Sequence, residues 1–117
     1  MKFKNIKGGT EKDAYDKFPW LEKAAFENAD IDITNDYLIW EDGFWEGGIW
    51  EDGIWKYGVW KYGVWEGGIW ECGFWGYGVW EGGAWKDGFW EDGWMWDNIN
   101  QKYQSVVRKD GKFEIEQ

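Results

Sequence analysis

The stretch "GFWEGGIWEDGIWKYGVWKYG", residues 43–63, places a tryptophan at every fifth position and a glycine two residues before each one. The odd period decides the fold. Side chains on a strand alternate between two faces, so a straight strand would throw successive tryptophans to opposite sides. A helix turns by about 140° in five residues, so the tryptophans would spiral around it. A glycine in every unit would also weaken that helix along its length. The repeat is compatible with a chain that turns once per unit. "W-E-D-G" suits such a turn, with a permissive pair in the middle and glycine fourth. The piece left over, "G-I-W", is a minimal strand. A coil of short straight sides with a corner every five residues is therefore predicted.

Outward from that stretch the array covers residues 39–95. Trp stands at 40, 45, 50, 55, 60, 65, 70, 75, 80, 85 and 90, and Gly at 43, 48, 53, 58, 63, 68, 73, 78, 83, 88 and 93. The residue before each Trp is Ile, Val, Phe or, at position 84, Ala. If those aliphatic residues faced inward, Asp42, Glu46 and Tyr57, two positions from them, would be buried too, with unpaired charge. The neighbour two before each Trp from Trp45 to Trp90 is Gly, so Trp and Gly are expected to face inward. The number of sides follows from self-similarity, because residues stacked in a solenoid share surroundings. Of the twelve variable positions in residues 44–63, a shift of 20 matches six, a shift of 5 matches five, a shift of 15 matches three and a shift of 10 none. About 20 residues per coil, hence four sides, is the expectation. On that register Glu51, Glu71 and Glu91 would stack on one face.

A four-sided coil of five-residue units resembles the pentapeptide-repeat family of quadrilateral β-helices. That family's unit is a small residue, any residue, then a large apolar one, with the small and large residues inside. Ala29-Asp30-Ile31 matches it directly, and Gly-Ile-Trp and its relatives stand for it through residues 43–93. Trp exceeds the usual Leu and Gly is smaller than the usual Ala, so the volume per unit is conserved. The middle residue departs from the pattern, being apolar here. "W-E-G-G-I-W" is also similar to the aromatic-glycine hairpins of MORN arrays, without their longer period. Trp/Gly tracts of this kind look like those of tailed-phage proteins. The first resemblance implies a rod; some members of that family are acidic and inhibit gyrase by imitating DNA.

The flanks read differently from the array. In residues 1–38, Thr10 and Asp13 form a helix N-cap signature in "TEKDAYDKF". "PWLEKAAFEN" reads as a second short helix opened by Pro19. "ADIDIT" alternates as a strand, and Asn35-Asp36 is a turn. In residues 96–117, "QSVVRKDGKFEIEQ" reads as a hairpin around Asp110-Gly111. The predicted class is mainly β: a short β-solenoid with a small helical cap at residues 1–38 and a hairpin cap at 96–117.

Composition narrows function. The net charge is −10, and residues 39–95 carry eleven acidic residues against three lysines. Phosphate contacts need Lys and Arg, so direct nucleic-acid or anionic-membrane binding is not expected. With no His and one cysteine, Cys72, neither a Cys–His nucleophile nor a Cys/His metal site is available. No cofactor, metal or catalytic residue is assigned. A lone Cys fits a reducing compartment. The start lacks the apolar run of a signal peptide, so a cytoplasmic location is expected, or a virion-associated one if the phage likeness holds. The candidate interaction surface comprises Tyr57, Tyr62 and Tyr77 at turns, and the carboxylates of Glu51, Glu71 and Glu91. The expected function is a non-enzymatic structural or protein-interaction module that binds a protein partner or itself. The alternatives are an acidic DNA mimic and a sugar binder, the latter requiring an exposed Trp ladder.

Overall fold

A computed structural model describes residues 2–34, 36–109 and 111–116. The chain opens with strand β1 (Phe3–Lys7), helix α1 (Glu11–Lys17) and a 3-10 turn at Pro19–Leu21. Strands β2 (Ala25–Thr34) and β3 (Tyr37–Gly47) follow as an antiparallel pair. Two-residue strands then recur at each repeat: β4 (Ile49–Trp50), β5 (Ile54–Trp55), β6 (Val59–Trp60), β7 (Val64–Trp65), β8 (Ile69–Trp70), β9 (Phe74–Trp75), β10 (Val79–Trp80), β11 (Ala84–Trp85) and β12 (Phe89–Trp90). Strands β13 (Trp94–Asp97), β14 (Lys102–Lys109) and β15 (Lys112–Ile115) close the chain.

The architecture is a β-solenoid, as the odd period requires, but its coil has three sides. Trp40 pairs with Trp55 and Trp55 with Trp70; Trp45 pairs with Trp60 and Trp60 with Trp75; Trp50 pairs with Trp65 and Trp65 with Trp80, all in parallel register. Each step is fifteen residues, so the expectation of 20 residues per coil and four sides is overturned. Ladder bonds confirm the register: Glu66 N–H donates to the Trp50 carbonyl at 2.8 Å and Ile69 N–H to that of Gly53 at 2.9 Å. Eleven repeats at three per coil make nearly four coils, about 18 Å of stack at the usual strand spacing.

Indole packing explains why three sides close. Stacked indoles such as Trp40–Trp55 and Trp60–Trp75 lie 4.8 Å apart between ring centres and within 7° of parallel. Within a layer, consecutive indoles meet edge to face: Trp45–Trp50 at 5.8 Å and 76°, Trp50–Trp55 at 5.8 Å and 75°. Aromatic pairs prefer these two geometries. Three rings arranged edge to face fill a triangular layer, and Trp40 also reaches Trp50 across it, at 6.2 Å. Trp40 through Trp75 are fully buried. Each buried indole removes about 150–250 Å² from water, on the order of 4–6 kcal/mol by area. That interior dominates the stability of the rod.

The glycines are demanded by the backbone. Gly58 has φ +130°, and a Cβ placed there would lie 2.5 Å from the Gly43 carbonyl oxygen one coil below. The same Cβ would stand 3.3 Å from the Trp40 indole nitrogen. Glycine therefore serves the turn, the stacking of coils and the seating of the indole together.

The ends are covered. Thr10 caps α1 with a complete capping box, its hydroxyl accepting from Asp13 N–H while the Asp13 carboxylate accepts from Thr10 N–H. The second helix expected over "PWLEKAAFEN" is replaced by the 3-10 turn and by β2. Ala29-Asp30-Ile31 lies in β2, with Ile31 opposite Trp40, and not in a coil. Phe26 of β2 stacks below Trp45, with ring centres 5.9 Å apart, and Trp20 meets Trp50 edge on at 5.2 Å. That contact explains the exchange: a strand extends the sheet and lays Phe26 over the open indoles, which a short exposed helix would not do. Of the expected Asn35-Asp36 turn, Asn35 lies outside the described residues, as does Asp110 of the hairpin. The hairpin itself is present, β14 and β15 pairing Val106 with Ile115 and Lys109 with Lys112. The turn between β13 and β14 is tied by the Asp97 carboxylate. It accepts from the Asn100 side chain at 2.8 Å, from Gln104 at 2.9 Å and from the Ile99 backbone at 2.9 Å. These bonds, led by that from Asn100, lower its pKa to about 2.

Candidate interaction surface

A fifteen-residue coil gives the rod three faces and three edges, and each outward position becomes a column. The first face carries Ile39, Ile54, Ile69 and Ala84; the second Phe44, Val59, Phe74 and Phe89; the third Ile49, Val64, Val79 and Trp94. The first edge then reads Glu41, Lys56, Glu71, Lys86. The second reads Glu46, Lys61, Gly76, Glu91, and the third Glu51, Glu66, Glu81.

This register separates the sequence-predicted carboxylates. Glu51, Glu71 and Glu91 stand on three different edges and form no ladder. The like-charged column is Glu51–Glu66–Glu81. Desolvation, then the charges of Glu81 and Glu51, push the Glu66 carboxyl above its ordinary value. Tyr103 closes that column, its hydroxyl donating to the Glu81 carboxylate at 2.7 Å. Alternation of charge falls on the first edge, where opposite charges are neighbours. Among the described residues Lys56, Lys61 and Lys86 form no ion pair; those present join Lys7 to Glu41, Lys12 to Asp16 and Lys17 to Asp36.

The tyrosines divide as well. Tyr62 and Tyr77 stack on the second edge with ring centres 5.6 Å apart, while Tyr57 stands alone on the first. Tyr77 accepts a hydrogen bond from the Trp94 indole at 3.1 Å. Across the second edge, Phe74 and Phe89 stack at 5.2 Å, and Phe44, Phe74 and Phe89 are 41, 36 and 58 % exposed. Two outward aromatic ladders thus flank one edge. Between them lies a groove of about 500 Å³ lined by Lys61, Phe74, Gly76, Tyr77, Glu91 and Asp92. Sequence reading missed this convergence because a coil of 20 residues places Tyr62 and Tyr77, and likewise Phe74 and Phe89, on different sides. The signal was present: Gly76 is the one uncharged residue among the eleven that directly follow a ladder Trp.

The Trp ladder faces inward, so it is not the exposed ladder that the sugar-binding alternative requires. Cys72 is a half-buried free thiol. Among the described residues no cluster of three or more potential metal ligands forms, and no helix is long and apolar enough to cross a membrane. Comparisons with protein families, with curated proteins and with solved structures find no match to this chain.

Proposed function

We propose that the chain is a non-enzymatic protein-binding module that docks a partner through its second face, its second edge and the adjoining end of its third face. The observation that carries this reading is the exposed aromatic surface formed by Phe44, Phe74, Phe89, Tyr62, Tyr77 and Trp94 on a rod whose own core is already closed. Contiguous exposed aromatic patches mark interaction sites, and Tyr and Trp are favoured anchors at interfaces. The rigidity of an all-indole interior supports the same reading, because a preformed surface loses little conformational freedom on binding. The net charge of −10 favours a basic partner.

Selection of binders from a displayed peptide library tests it. Peptides enriched on the native protein should lose at least about tenfold in affinity, about 1.4 kcal/mol, on a Phe74→Ser/Phe89→Ser variant. Equal binding to both proteins would refute the assignment of this surface.

A further inference from the structure

The single uncharged position in the columns that follow Trp has a consequence for what the surface holds. No positive φ requires Gly76, and Glu46, Lys61 and Glu91 occupy the same place in the other coils. Omission of a side chain there opens the groove between the Phe74/Phe89 and Tyr62/Tyr77 stacks. The Lys61 ammonium does not fill the gap, for it lies over the Phe44 ring, 5.8 Å from its centre and one coil toward β2. The opposite wall is formed by Glu91 and Asp92, both exposed. Asp92 Oδ1 accepts from Gly93 N–H at 2.8 Å, which fixes the carboxylate against the backbone.

We propose that this groove is the seat for an arginine side chain presented by a protein partner. The guanidinium lies between the Phe74 and Tyr77 rings and pairs with the Glu91 and Asp92 carboxylates. Three properties of the groove select that ligand. Aromatic faces attract a cation, and more strongly one that is planar and weakly hydrated. Paired carboxylates match the forked donors of a guanidinium. The negative charge of the chain complements a basic partner. The inference rests on the protein-binding reading above and names the group that the partner brings.

The probe is a capped Gly-Arg-Gly peptide, compared with its lysine and citrulline counterparts. Binding is read from amide shifts of Gly76, Tyr77 and Gly93 in nitrogen-labelled protein. Saturable shifts are expected with arginine in the millimolar range, about the strength of one small anchor. The lysine peptide should bind several-fold more weakly and the citrulline peptide should leave the amides unmoved. Glu91→Gln/Asp92→Asn keeps the shape and should weaken binding about tenfold. Gly76→Lys fills the groove and should abolish it. A Cβ at residue 76 lies 3.2 Å from the Trp60 and Lys61 carbonyls, so that variant asks for a backbone adjustment and the carboxylate variant serves as the independent check. Lysine binding as tightly as arginine, citrulline binding equally, or shifts that neither variant alters would each overturn the proposal. So would the absence of saturable shifts. Display-selected peptides that still depended on Phe74 and Phe89 would then leave the docking surface standing without its arginine. Selected peptides indifferent to those rings would remove the surface while leaving the arginine titration to be judged on its own amides.

Discussion

At the scale of single residues the repeat is a contract between Gly and Trp. Trp65 and Trp75 donate their indole N–H groups to the carbonyls of Gly82 and Asp92, each the residue just before a ladder glycine one coil above. A Cβ on Gly93 would stand 3.2 Å from the Trp75 indole nitrogen. Seven other buried indole nitrogens, including those of Trp40, Trp55 and Trp70, meet no acceptor among the described residues. An unmet buried donor is costly, so the stacking and burial of the rings must outweigh it. The glycines differ sharply in what they tolerate. Gly58→Ala meets a carbonyl at 2.5 Å with φ +130°. It is expected to cost at least about 3 kcal/mol, the upper range for strain at such a site. Gly47 has no positive φ and nothing within 4 Å of an added Cβ, so Gly47→Ala should change stability by less than about 0.5 kcal/mol, as surface substitutions do. Urea unfolding of the two variants checks the contrast. Equal costs would mean that the backbone assignment of the repeat is wrong.

At the scale of elements, the unit was legible and the coil was not. Five-residue spacing, with Gly two before every Trp from Trp45 to Trp90, excludes straight strands and helices by geometry alone, and the inward Trp follows from the charges two positions from Ile, Val and Phe. The number of sides was hidden by the electrostatics. Glu41, Lys56, Glu71 and Lys86 stack on one edge, and opposite charges make good neighbours. Stacked positions there are chemically opposed rather than alike, so a search for identity passed over the true register. The core offered no correction, because Trp falls on Trp at any multiple of five. Helix-compatible residues in "LEKAAFEN" likewise concealed that Phe26 is needed beneath Trp45, a tertiary demand that local propensity does not express. Paired cysteines test the register directly in a Cys72→Ser background. Glu51→Cys with Glu66→Cys should form a disulfide under mild oxidation, since neighbouring strands lie about 4.8 Å apart and a bridge needs Cα atoms within about 7 Å. Glu51→Cys with Glu71→Cys, twenty apart, should not. Cross-linking of the second pair alone would restore the four-sided coil.

At the scale of the whole molecule, a rod of stacked rings needs closed ends. The extents are 45 × 24 × 22 Å, the long dimension including the structures that cover the coils. At the end away from β2, Phe113 of β15 meets Trp85 and Trp90 edge on at 5.4 and 5.0 Å. The Arg108 guanidinium lies 4.7 Å from the Phe113 ring centre and 5.7 Å from that of Trp85. The Val106 carbonyl accepts the Trp90 indole N–H at 3.2 Å. Uncovered, that end would offer flat indoles and unpaired ladder groups to the matching surface of another copy, the hazard that solenoid caps prevent. Phe113→Glu is made together with Arg108→Gln, so that the new carboxylate has no guanidinium beside it. It removes the ring that covers Trp85 and Trp90 and puts a charge there whose desolvation costs more than the ~1–3 kcal/mol of a neutral polar group. The hairpin should lift, Trp emission should shift to the red, and light scattering should rise with protein concentration as rods join end to end. Ile115→Glu with the same Arg108→Gln change, on the same strand but 52 % exposed, should leave the protein monomeric with unchanged emission. The pair separates loss of the cover from the mere addition of negative charge: charge alone acts equally in both variants and drives copies apart, whereas only the bared indoles draw them together. A Phe113→Glu/Arg108→Gln protein that stayed monomeric with blue-shifted emission would show that β14 and β15 do not guard the stack.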